Sequence, residues 1–443
     1  MKPLVEDLYR TDDNEGGQNG AKTSNSNVPA SPLEVAKLRS FIHACPVLAA
    51  INAVNRNPSN RFGLLAQLAP LNGKRAFGGP KAECYRGFDQ GLDVDSQQIR
   101  CEVPLMEALG VLQQSAIASE ADQRLLVRLI DVQELVGDDL EWVESALDRV
   151  ARDGTSPATE AAHHLVSRGG KRVRPLVVLL SAACFGGVSP NTRSLALVSE
   201  LIHTATLLHD DVADEGMQRR GAATSRRVWG NAVSVLAGDL LLVQALTQTL
   251  VDMPSVLPEL LLTLRQMVDG EVLQLRGRTQ LHLSEEHYFQ IVRGKTASLF
   301  AWAARSGALS SGASSLQAEA LGSFGDKLGV AFQLVDDVLD YIGTKTGKTS
   351  LADLREGKLT LPLVVAVQRC PELQDELQRI HAGEEGRLDI VASQVIQTGA
   401  CDEVRARALL VTEEALAQLA HITASPAVNL LKGVAEDLVA RLG

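Results

Sequence analysis

The sequence predicts an all-α protein, a large helical bundle around a central cavity. From about residue 116 onward, apolar residues recur at helical spacing and are interrupted only by short Gly, Ser and Pro breaks. Aromatic residues make up only 4% of the 443 residues, which disfavours a strand-rich fold. Residues 177–184, 234–250 and 296–304 are apolar on nearly every side, a pattern typical of the central helices of a bundle.

Composition divides the chain into three parts. Residues 1–31 are polar and cannot bury a core, so we expect a disordered tail. Residues 32–115 show no convincing period beyond a candidate helix near 33–54, and they form an N-terminal extension of unknown role. The alternative is that translation starts further in, for instance at Met106. Residues 116–443 are expected to form one all-α domain.

Charge and cysteine usage exclude several classes of protein. The net charge of −11 argues against a general nucleic-acid binder, which needs a basic surface. The six cysteines are scattered and form no C-x-x-C pair, as expected of free thiols in a reducing compartment. The first residues lack the apolar stretch of a secretory peptide, and the early apolar run at 41–54 is too short to span a bilayer. We therefore expect a cytoplasmic protein that is not transmembrane.

Two acidic clusters of identical spacing carry the strongest functional signal. They are Asp210, Asp211, Asp214 and Asp336, Asp337, Asp340. Each lies in an apolar, helix-like stretch, where ionised carboxylates are costly unless a positive charge compensates them. Magnesium is the natural candidate, because it takes hard oxygen ligands and bridges carboxylates to phosphates.

Helical spacing places further polar side chains beside each cluster. Ser199, His203, Thr206, Asp210 and Asp214 share one face of the first helix, and Gln333, Asp336, Asp337 and Asp340 share one face of the second. If the two faces oppose each other across a bundle, they surround one cavity. Such a cavity suits magnesium ions that hold a diphosphate.

Basic residues accompany the acidic clusters along the chain. The segment Gly169–Pro175 carries Lys171, Arg172 and Arg174 ahead of an apolar helix, an arrangement suited to anions. Arg219 and Arg220 follow the first cluster, Lys295 and Thr296 lie between the clusters, and Lys348 and Lys358 follow the second. A His-Asp metal phosphohydrolase is an alternative, but it requires further histidines on other helices, and His163-His164 is the only nearby pair.

Taken together, these segments resemble the trans-polyprenyl diphosphate synthase family. The matching pieces, in family order from about residue 116 to the C-terminus, are GGKRVRP, ELIHTATLLHDDVADEGMQRRG, VWGNAVSVLAGDLLL, GEVLQL, RGKTASLF, FQLVDDVLDY and DLREGKLTLPL. The resemblance implies an isoprenoid synthase fold and magnesium-dependent condensation of an allylic prenyl diphosphate with isopentenyl diphosphate. It also implies up to three Mg²⁺ per active site, a homodimer, and at most transient membrane contact for product release.

The resemblance assigns a role to each candidate residue. It implies that both acidic clusters bind magnesium and that Asp210, Asp211, Asp214, Lys295, Asp336 and Asp337 are catalytic. Isopentenyl diphosphate would be bound by Lys171, Arg174, His203 and Arg220. The allylic diphosphate would be contacted by Arg219, Lys295, Thr296, Gln333, Lys348 and Lys358.

The sequence departs from the family pattern at three places. Leu351 stands where a second glycine is often found, which leaves the conformation of that loop open. Ala222 stands where the family usually has a lysine after the Arg-Arg-Gly turn. The first hundred or so residues have no family counterpart.

Small side chains below the first cluster predict a long product. Ala205 lies five residues before Asp210, roughly 7–8 Å lower along the helix. In family members that stop early, an aromatic side chain often stands at this level, so the resemblance implies that Ala205, Thr206 and Ile202 leave an open tunnel and a product of about C30–C50. Geranylgeranyl diphosphate is the alternative product, since bulky residues on other helices can close the tunnel. Two other functions of the same fold are disfavoured. A catalytically silent partner subunit would usually have lost acids from one cluster, and a class I terpene cyclase would rarely keep both the second acidic repeat and the GGKRVRP segment.

Overall fold

The computed structural model describes residues 120–280, 283–342, 351–381 and 385–440. The predicted tail (1–31), the whole predicted extension (32–115) and Lys348 lie outside the described residues. Within them the chain is almost entirely helical, which confirms the predicted fold class.

Sixteen α-helices and one short hairpin make up the described part of the chain. They are α1 (Glu120–Ala151), α2 (Ala158–Val166), α3 (Val173–Ala183), α4 (Pro190–Ala213), β1 (Gln218–Arg219), β2 (Ala222–Ala223), α5 (Ser225–Trp229), α6 (Asn231–Asp252), α7 (Leu257–Gln280), α8 (Glu285–Val292), α9 (Ser298–Ser310), α10 (Ser315–Ile342), α11 (Ala352–Arg355), α12 (Leu361–Arg369), α13 (Leu373–His381), α14 (Leu388–Gln397), α15 (Ala400–Gln418) and α16 (Pro426–Ala440). A π-helical turn, Arg293–Ala297, joins α8 to α9.

The core is built around α3, α4, α9 and α10. Helix α4 packs against α6, α9 packs against α3 and α10, and α10 packs against α15. Phe300 and Phe324 are the largest side chains that are fully buried. The acidic clusters lie at the C-terminal ends of α4 and α10. Negative charge is disfavoured there by the helix dipole, so packing alone does not explain these carboxylates.

Helix α6 corrects one expectation. Residues 234–250 were expected to be buried on all sides, but Leu236 and Val243 are 51% and 45% exposed. The helix is long and apolar enough to span a membrane by composition, yet 44% of its apolar window is buried inside the protein. Sequence pattern cannot distinguish a face that is buried in the core from an equally apolar face that is left at the surface.

The start of α3 also differs slightly from expectation. Pro175 was expected at the first helical position, but the helix begins two residues earlier, at Val173. Arg172 precedes it in the left-handed region, with φ +47°. The basic segment therefore bends sharply just before it enters the helix.

Candidate active site

A single turn of backbone touches both acidic helices. Lys295 Nζ lies 3.4 Å from Asp210 Oδ2 at the end of α4. The next residue, Thr296, donates a hydrogen bond of 3.0 Å from its hydroxyl to Gln333 Oε1 on α10. Because consecutive residues contact the two helices, the acidic ends of α4 and α10 converge on the same region of the bundle.

Close helix packing holds this turn in place. Gly294 lies against Gly270 of α7, and a Cβ on Gly270 would lie 2.7 Å from the Lys295 backbone nitrogen. The turn is π-helical, a local widening that often marks functional sites. The absence of side chains at both glycines lets α7 approach and brings Glu271 within salt-bridge distance of Lys295.

Lys295 is a half-buried cation between two carboxylates. Burial alone would lower its pKa, but the negative charges of Asp210 and Glu271 outweigh burial and raise it. The pKa of Glu271 is also raised, by burial and by the charge of Asp210. No role was predicted for Glu271. The available signal was an acidic residue beside a glycine in a largely apolar helix.

Asp214 is held by two cations. Its Oδ2 lies 2.9 Å from Lys358 Nζ, and its Oδ1 accepts a hydrogen bond from Arg278. Burial alone would raise the pKa of Asp214, but Lys358, Arg278 and Lys295 together lower it to about 2. Lys358 was predicted at the site. Arg278 was not, because its position on α7 carries no recognisable motif.

Asp211 faces the hairpin that follows α4. Arg219 Nε donates a hydrogen bond of 2.7 Å to Asp211 Oδ1, and Asp211 is 2% exposed. Burial raises the pKa of Asp211, and the positive charge of Arg219 partly opposes the rise. Arg219 pairs with Ala222 across the two short strands, at the position where a lysine was expected.

Two carboxylates of the second cluster are half-buried, and the third is fully enclosed. Asp336 is half-buried, and its Oδ1 lies 3.9 Å from Lys171 Nζ. Asp340 Oδ2 accepts a hydrogen bond of 3.2 Å from the Asp353 backbone nitrogen. Asp353 in turn lies 3.7 Å from Lys358, the residue that binds Asp214. This chain of contacts is a second link between the two clusters.

Asp337 is the enclosed member of the second cluster. It is 2% exposed, and both oxygens accept hydrogen bonds: Oδ2 from Tyr288 Oη at 2.7 Å and from the Leu361 nitrogen at 3.2 Å, and Oδ1 from Gln333 at 2.8 Å. Burial and the charge of Asp353 raise its pKa to about 7, against the effect of these hydrogen bonds. Tyr288 was not predicted at the site, because it lies on α8, far away in sequence.

Leu351, just before α11, takes a backbone conformation that is typical of glycine. Leu351 adopts φ +60° and donates a backbone hydrogen bond of 3.3 Å to the Asp340 carbonyl. This region of φ is uncommon for a bulky residue. Leu351 is only 5% exposed, so its side chain packs into the core while the backbone takes the conformation that a glycine adopts easily.

A group of basic residues lies between α3, α4 and the hairpin. It consists of Lys171, Arg174, His203 and Arg220 and is called the cationic pocket below. Arg174 lies over the Phe300 ring, with its guanidinium carbon 4.5 Å from the ring centroid, and Lys171 Nζ lies 5.2 Å from the centroid of Phe332. Burial lowers the pKa of His203 well below its usual value, and the charges of Arg174 and Arg220 lower it further. A neutral imidazole among arginines leaves net positive charge for an anion.

The donor set fits magnesium. Within the described ranges, no three His, Cys, Asp or Glu side chains come together closely enough to hold an ion by themselves. Magnesium does not require such a cage, because it commonly uses one or two carboxylates, several waters and the phosphates of a substrate. Asp210, Asp214, Asp336 and Asp340 each contact a cation or a backbone amide, and a metal ion that binds these carboxylates would take the place of that contact.

Two of the three residues below the first cluster are tightly enclosed, and the third, Thr206, is half-buried. Ile202 and Ala205 are 0% exposed, and Thr206 donates a hydrogen bond of 2.8 Å to the His203 carbonyl. Protein atoms surround Ala205 on every side in this conformation. A growing chain therefore passes this level only if the neighbouring side chains move.

Several known proteins are similar to this chain in sequence and fold. The family model described as polyprenyl synthetase matches residues 156–397. The octaprenyl diphosphate synthase of Escherichia coli is 35% identical over 322 residues, which cover 71% of this chain and 99% of that enzyme. The all-trans-nonaprenyl-diphosphate synthase of Rhodobacter capsulatus, described as specific for geranyl diphosphate, is 38% identical over 286 residues, which cover 62% of this chain and 87% of that enzyme.

A solved structure shows the same architecture. The polyprenyl synthase of Caulobacter crescentus, complexed with calcium and isoprenyl diphosphate, matches with a TM-score of 0.67 and 36% identity, over 71% of this chain and 98% of that one. The fold and the paired acidic helices thus define a helical prenyl-transferring enzyme. The chain belongs to the polyprenyl synthetase family and is a trans-prenyltransferase.

Proposed function

We propose that this enzyme condenses isopentenyl diphosphate with an allylic prenyl diphosphate in a magnesium-dependent reaction. The product is a medium or long all-trans polyprenyl diphosphate of about C30–C50. The observation that carries the proposal is the π-helical turn, where Lys295 contacts Asp210 and Thr296 contacts Gln333. This turn contacts both acidic helices and carries a half-buried cation.

The first acidic cluster and its cations form the allylic site. Arg219, Lys295 and Lys358 each already bind a carboxylate of that cluster. When a diphosphate enters, these cations can turn to its oxygens. Thr296 and Gln333 contribute polar contacts from the opposite side. Lys348, which lies outside the described residues, remains a predicted contact.

Metal binding is part of the proposal. Asp210, Asp214, Asp336 and Asp340 would hold the ions, and magnesium would supply the Lewis acidity that weakens the bond to a departing diphosphate. Asp211 and Asp337, also predicted as ligands, make hydrogen bonds that fix the ends of the two helices. Their direct contact with metal stays a prediction, as does the number of ions.

The chemistry follows from the charges. The allylic C1–O bond breaks with its electron pair leaving on the diphosphate, and the cations beside the first cluster stabilise the charge that develops there. Lys171, Arg174, His203 and Arg220 hold isopentenyl diphosphate, whose double bond attacks C1. A proton is then lost to the released diphosphate, and the chain is five carbons longer.

Product analysis tests this function. Purified enzyme, magnesium, labelled isopentenyl diphosphate and farnesyl diphosphate should give a ladder of longer prenyl diphosphates, separable by reverse-phase chromatography. We expect the longest products at about C30–C50. A ladder that stops at C20 would instead favour geranylgeranyl diphosphate synthesis, the second candidate, which the complete enclosure of Ala205 supports. No product at all would reject the function and favour a silent subunit of the same fold.

Ala205→Phe should shorten the product. Because Ala205 is fully buried about a turn and a half below Asp210 on α4, we expect a phenyl ring there to push its neighbours into the path of the growing chain. Overpacking is expected to cost about 1–3 kcal/mol of stability, so melting temperature is measured alongside product length. Ala205→Ser, which adds little volume, is the control and should leave the length unchanged. An unaltered ladder from a folded Phe variant would contradict the tunnel argument.

A homodimer is also part of the proposal. Leu236, Val243 and Val251 form an exposed apolar stripe along α6, at 51%, 45% and 64% exposure. Their spacing of seven and eight residues places them on one helical face. A second copy of the chain that covers this stripe would remove apolar surface from water. Cytoplasmic location stays a prediction from the sequence.

Leu236→Asp should convert the dimer to monomers. A carboxylate within an apolar interface loses its solvation, so association weakens strongly. Sedimentation velocity measures the change. Leu316→Asp is the matched control, because Leu316 is 74% exposed in the first turn of α10, away from α6. A monomeric unmodified enzyme, or a dimeric Leu236→Asp variant, would contradict the assignment of this surface.

A further inference from the structure

The cationic pocket stands on a buried group of charges that the reaction itself does not require. Arg172 is 4% exposed and lies between Glu144 of α1 and Glu200 of α4. Its Nη1 donates a hydrogen bond of 2.7 Å to Glu200 Oε1, and its Nη2 donates one of 3.0 Å to Glu144 Oε2. Nε donates a further hydrogen bond to Glu144. The guanidinium thus joins the loop before α3 to two other helices.

The backbone at Arg172 is held in an uncommon conformation. Its φ of +47° lies in the left-handed region, which a long side chain adopts only where surrounding contacts enforce it. This bend separates Lys171, which reaches Asp336, from Arg174, which lies over Phe300. The ion pairs of Arg172 therefore set the direction of both neighbouring cations.

The loop before α3 also anchors the hairpin formed by β1 and β2. A Cβ on Gly170 would lie 2.9 Å from Arg220 Nη2 and 3.1 Å from Arg172 Nη1, so the missing side chain leaves room for both guanidiniums. Arg220 Nη1 donates hydrogen bonds to the carbonyls of Gly169 and Leu165. Arg220 is thereby anchored to the loop that Arg172 fixes.

Charge and hydrogen bonding leave this assembly ready for an anion. Glu200 lies near enough to Arg174 and Arg220 to interact with both electrostatically, and Asp336 acts on Arg174 and Lys171. Three guanidiniums and one ammonium therefore face three carboxylates, those of Glu144, Glu200 and Asp336, which leaves one positive charge in excess. Within the described residues, the buried Nε of Arg174 makes no hydrogen bond. A buried donor without a partner is costly, and an incoming phosphate oxygen would satisfy it.

We propose that Glu144, Arg172 and Glu200 act as a positioning clamp, which holds Lys171, Arg174 and Arg220 in place for the diphosphate of isopentenyl diphosphate before it binds. The clamp touches neither substrate. The inference rests on the proposed function, since it assigns this pocket to the non-allylic substrate. It separates the two diphosphate sites, because the allylic cations Lys295 and Lys358 are held by other carboxylates.

Glu144→Gln tests the clamp with the least change of shape. We expect the KM for isopentenyl diphosphate to rise about tenfold or more, as is common when a residue that orients a binding group is altered. The KM for farnesyl diphosphate and kcat should change less than twofold. Arg172→Lys retains the charge but loses the paired hydrogen bonds, so it should show the same selective rise and provides a second test if the first variant does not fold.

A matched control exists on the same two helices. Asp139 of α1 accepts a hydrogen bond of 2.5 Å from Arg193 of α4, away from the pocket. Asp139→Asn removes a comparable α1–α4 ion pair and should leave every kinetic constant unchanged. The clamp is rejected if Glu144→Gln behaves like Asp139→Asn, or if a folded Glu144→Gln enzyme changes kcat and the KM values of both substrates to the same extent.

Titration with inorganic diphosphate separates failure of the clamp from failure of the proposed function. Calorimetry needs no turnover, so it reports on the pocket even if the unmodified enzyme makes no product. Weaker binding by Glu144→Gln than by Asp139→Asn supports the clamp, whereas equal binding overturns it.

Discussion

Asp210→Ala is expected to lower the rate of chain elongation by about a thousandfold or more. Asp210 lies on the exposed side of the first cluster and pairs with Lys295, the cation that also contacts Glu271. Its loss removes a carboxylate from the proposed metal site and leaves Lys295 without one of its two partners. Turnover of farnesyl diphosphate with labelled isopentenyl diphosphate measures the effect.

The control for Asp210 is Asp269, an aspartate on the protein surface. Asp269 lies on α7, its side chain is 60% exposed, and it pairs with Arg265 one turn earlier. Asp269→Asn should retain full activity, since exposed pairs of this kind contribute little. An Asp210→Ala enzyme within tenfold of the unmodified rate would remove the first cluster from the chemistry.

Lys295→Ala should lower turnover by about a hundredfold to a thousandfold. Lys295 is the cation of the turn that joins the two acidic helices, and in the proposed reaction it stabilises the charge that develops on the departing diphosphate. Its removal also leaves Asp210 and Glu271 with no positive charge between them. Melting temperature is therefore recorded together with kcat, so that lost stability and lost catalysis are separated.

Lys327→Ala is the matched control for Lys295. Lys327 lies on α10, is 30% exposed in its side chain and pairs with Glu414 at 2.5 Å, outside the site. It should leave kcat unchanged. A folded Lys295→Ala enzyme with kcat within threefold of normal would show that the turn is structural only.

Much of the site could be predicted because helical spacing fixes which side chains share a face. The steps between His203, Thr206, Asp210 and Asp214, and between Gln333, Asp337 and Asp340, place each set on one face without any knowledge of the fold. The contacts of Lys295 and Thr296 then show that these ends meet. That convergence depends on tertiary packing, which the sequence suggested only through resemblance.

The residues that sequence reasoning missed act over long separations in the chain. Arg278 reaches Asp214 across 64 positions, and Tyr288 reaches Asp337 across 49. Neither lies in a pattern that distinguishes it from an ordinary surface arginine or a core tyrosine. Glu271 is similar, because its role depends on the close approach of Gly270 and Gly294.

Two further features could not be predicted from the sequence, because the local residues favour a different burial or a different backbone conformation from the one observed. The apolar pattern of α6 predicts burial, but Leu236 and Val243 lie at the surface. Leu351 lacks the freedom of glycine, yet its backbone takes φ +60° because buried packing and the hydrogen bond to Asp340 hold it there. In both cases the surroundings override the preference of the residue.

Binding of a non-reactive analogue of farnesyl diphosphate, with and without magnesium, tests most directly whether the opposed carboxylates hold a diphosphate through metal ions. In calorimetry we expect tight binding by the unmodified enzyme only when magnesium is present, and its loss in Asp210→Ala at the same magnesium concentration. Equal affinity after chelation of all divalent ions would contradict this, because the lysines and arginines alone would then hold the diphosphate.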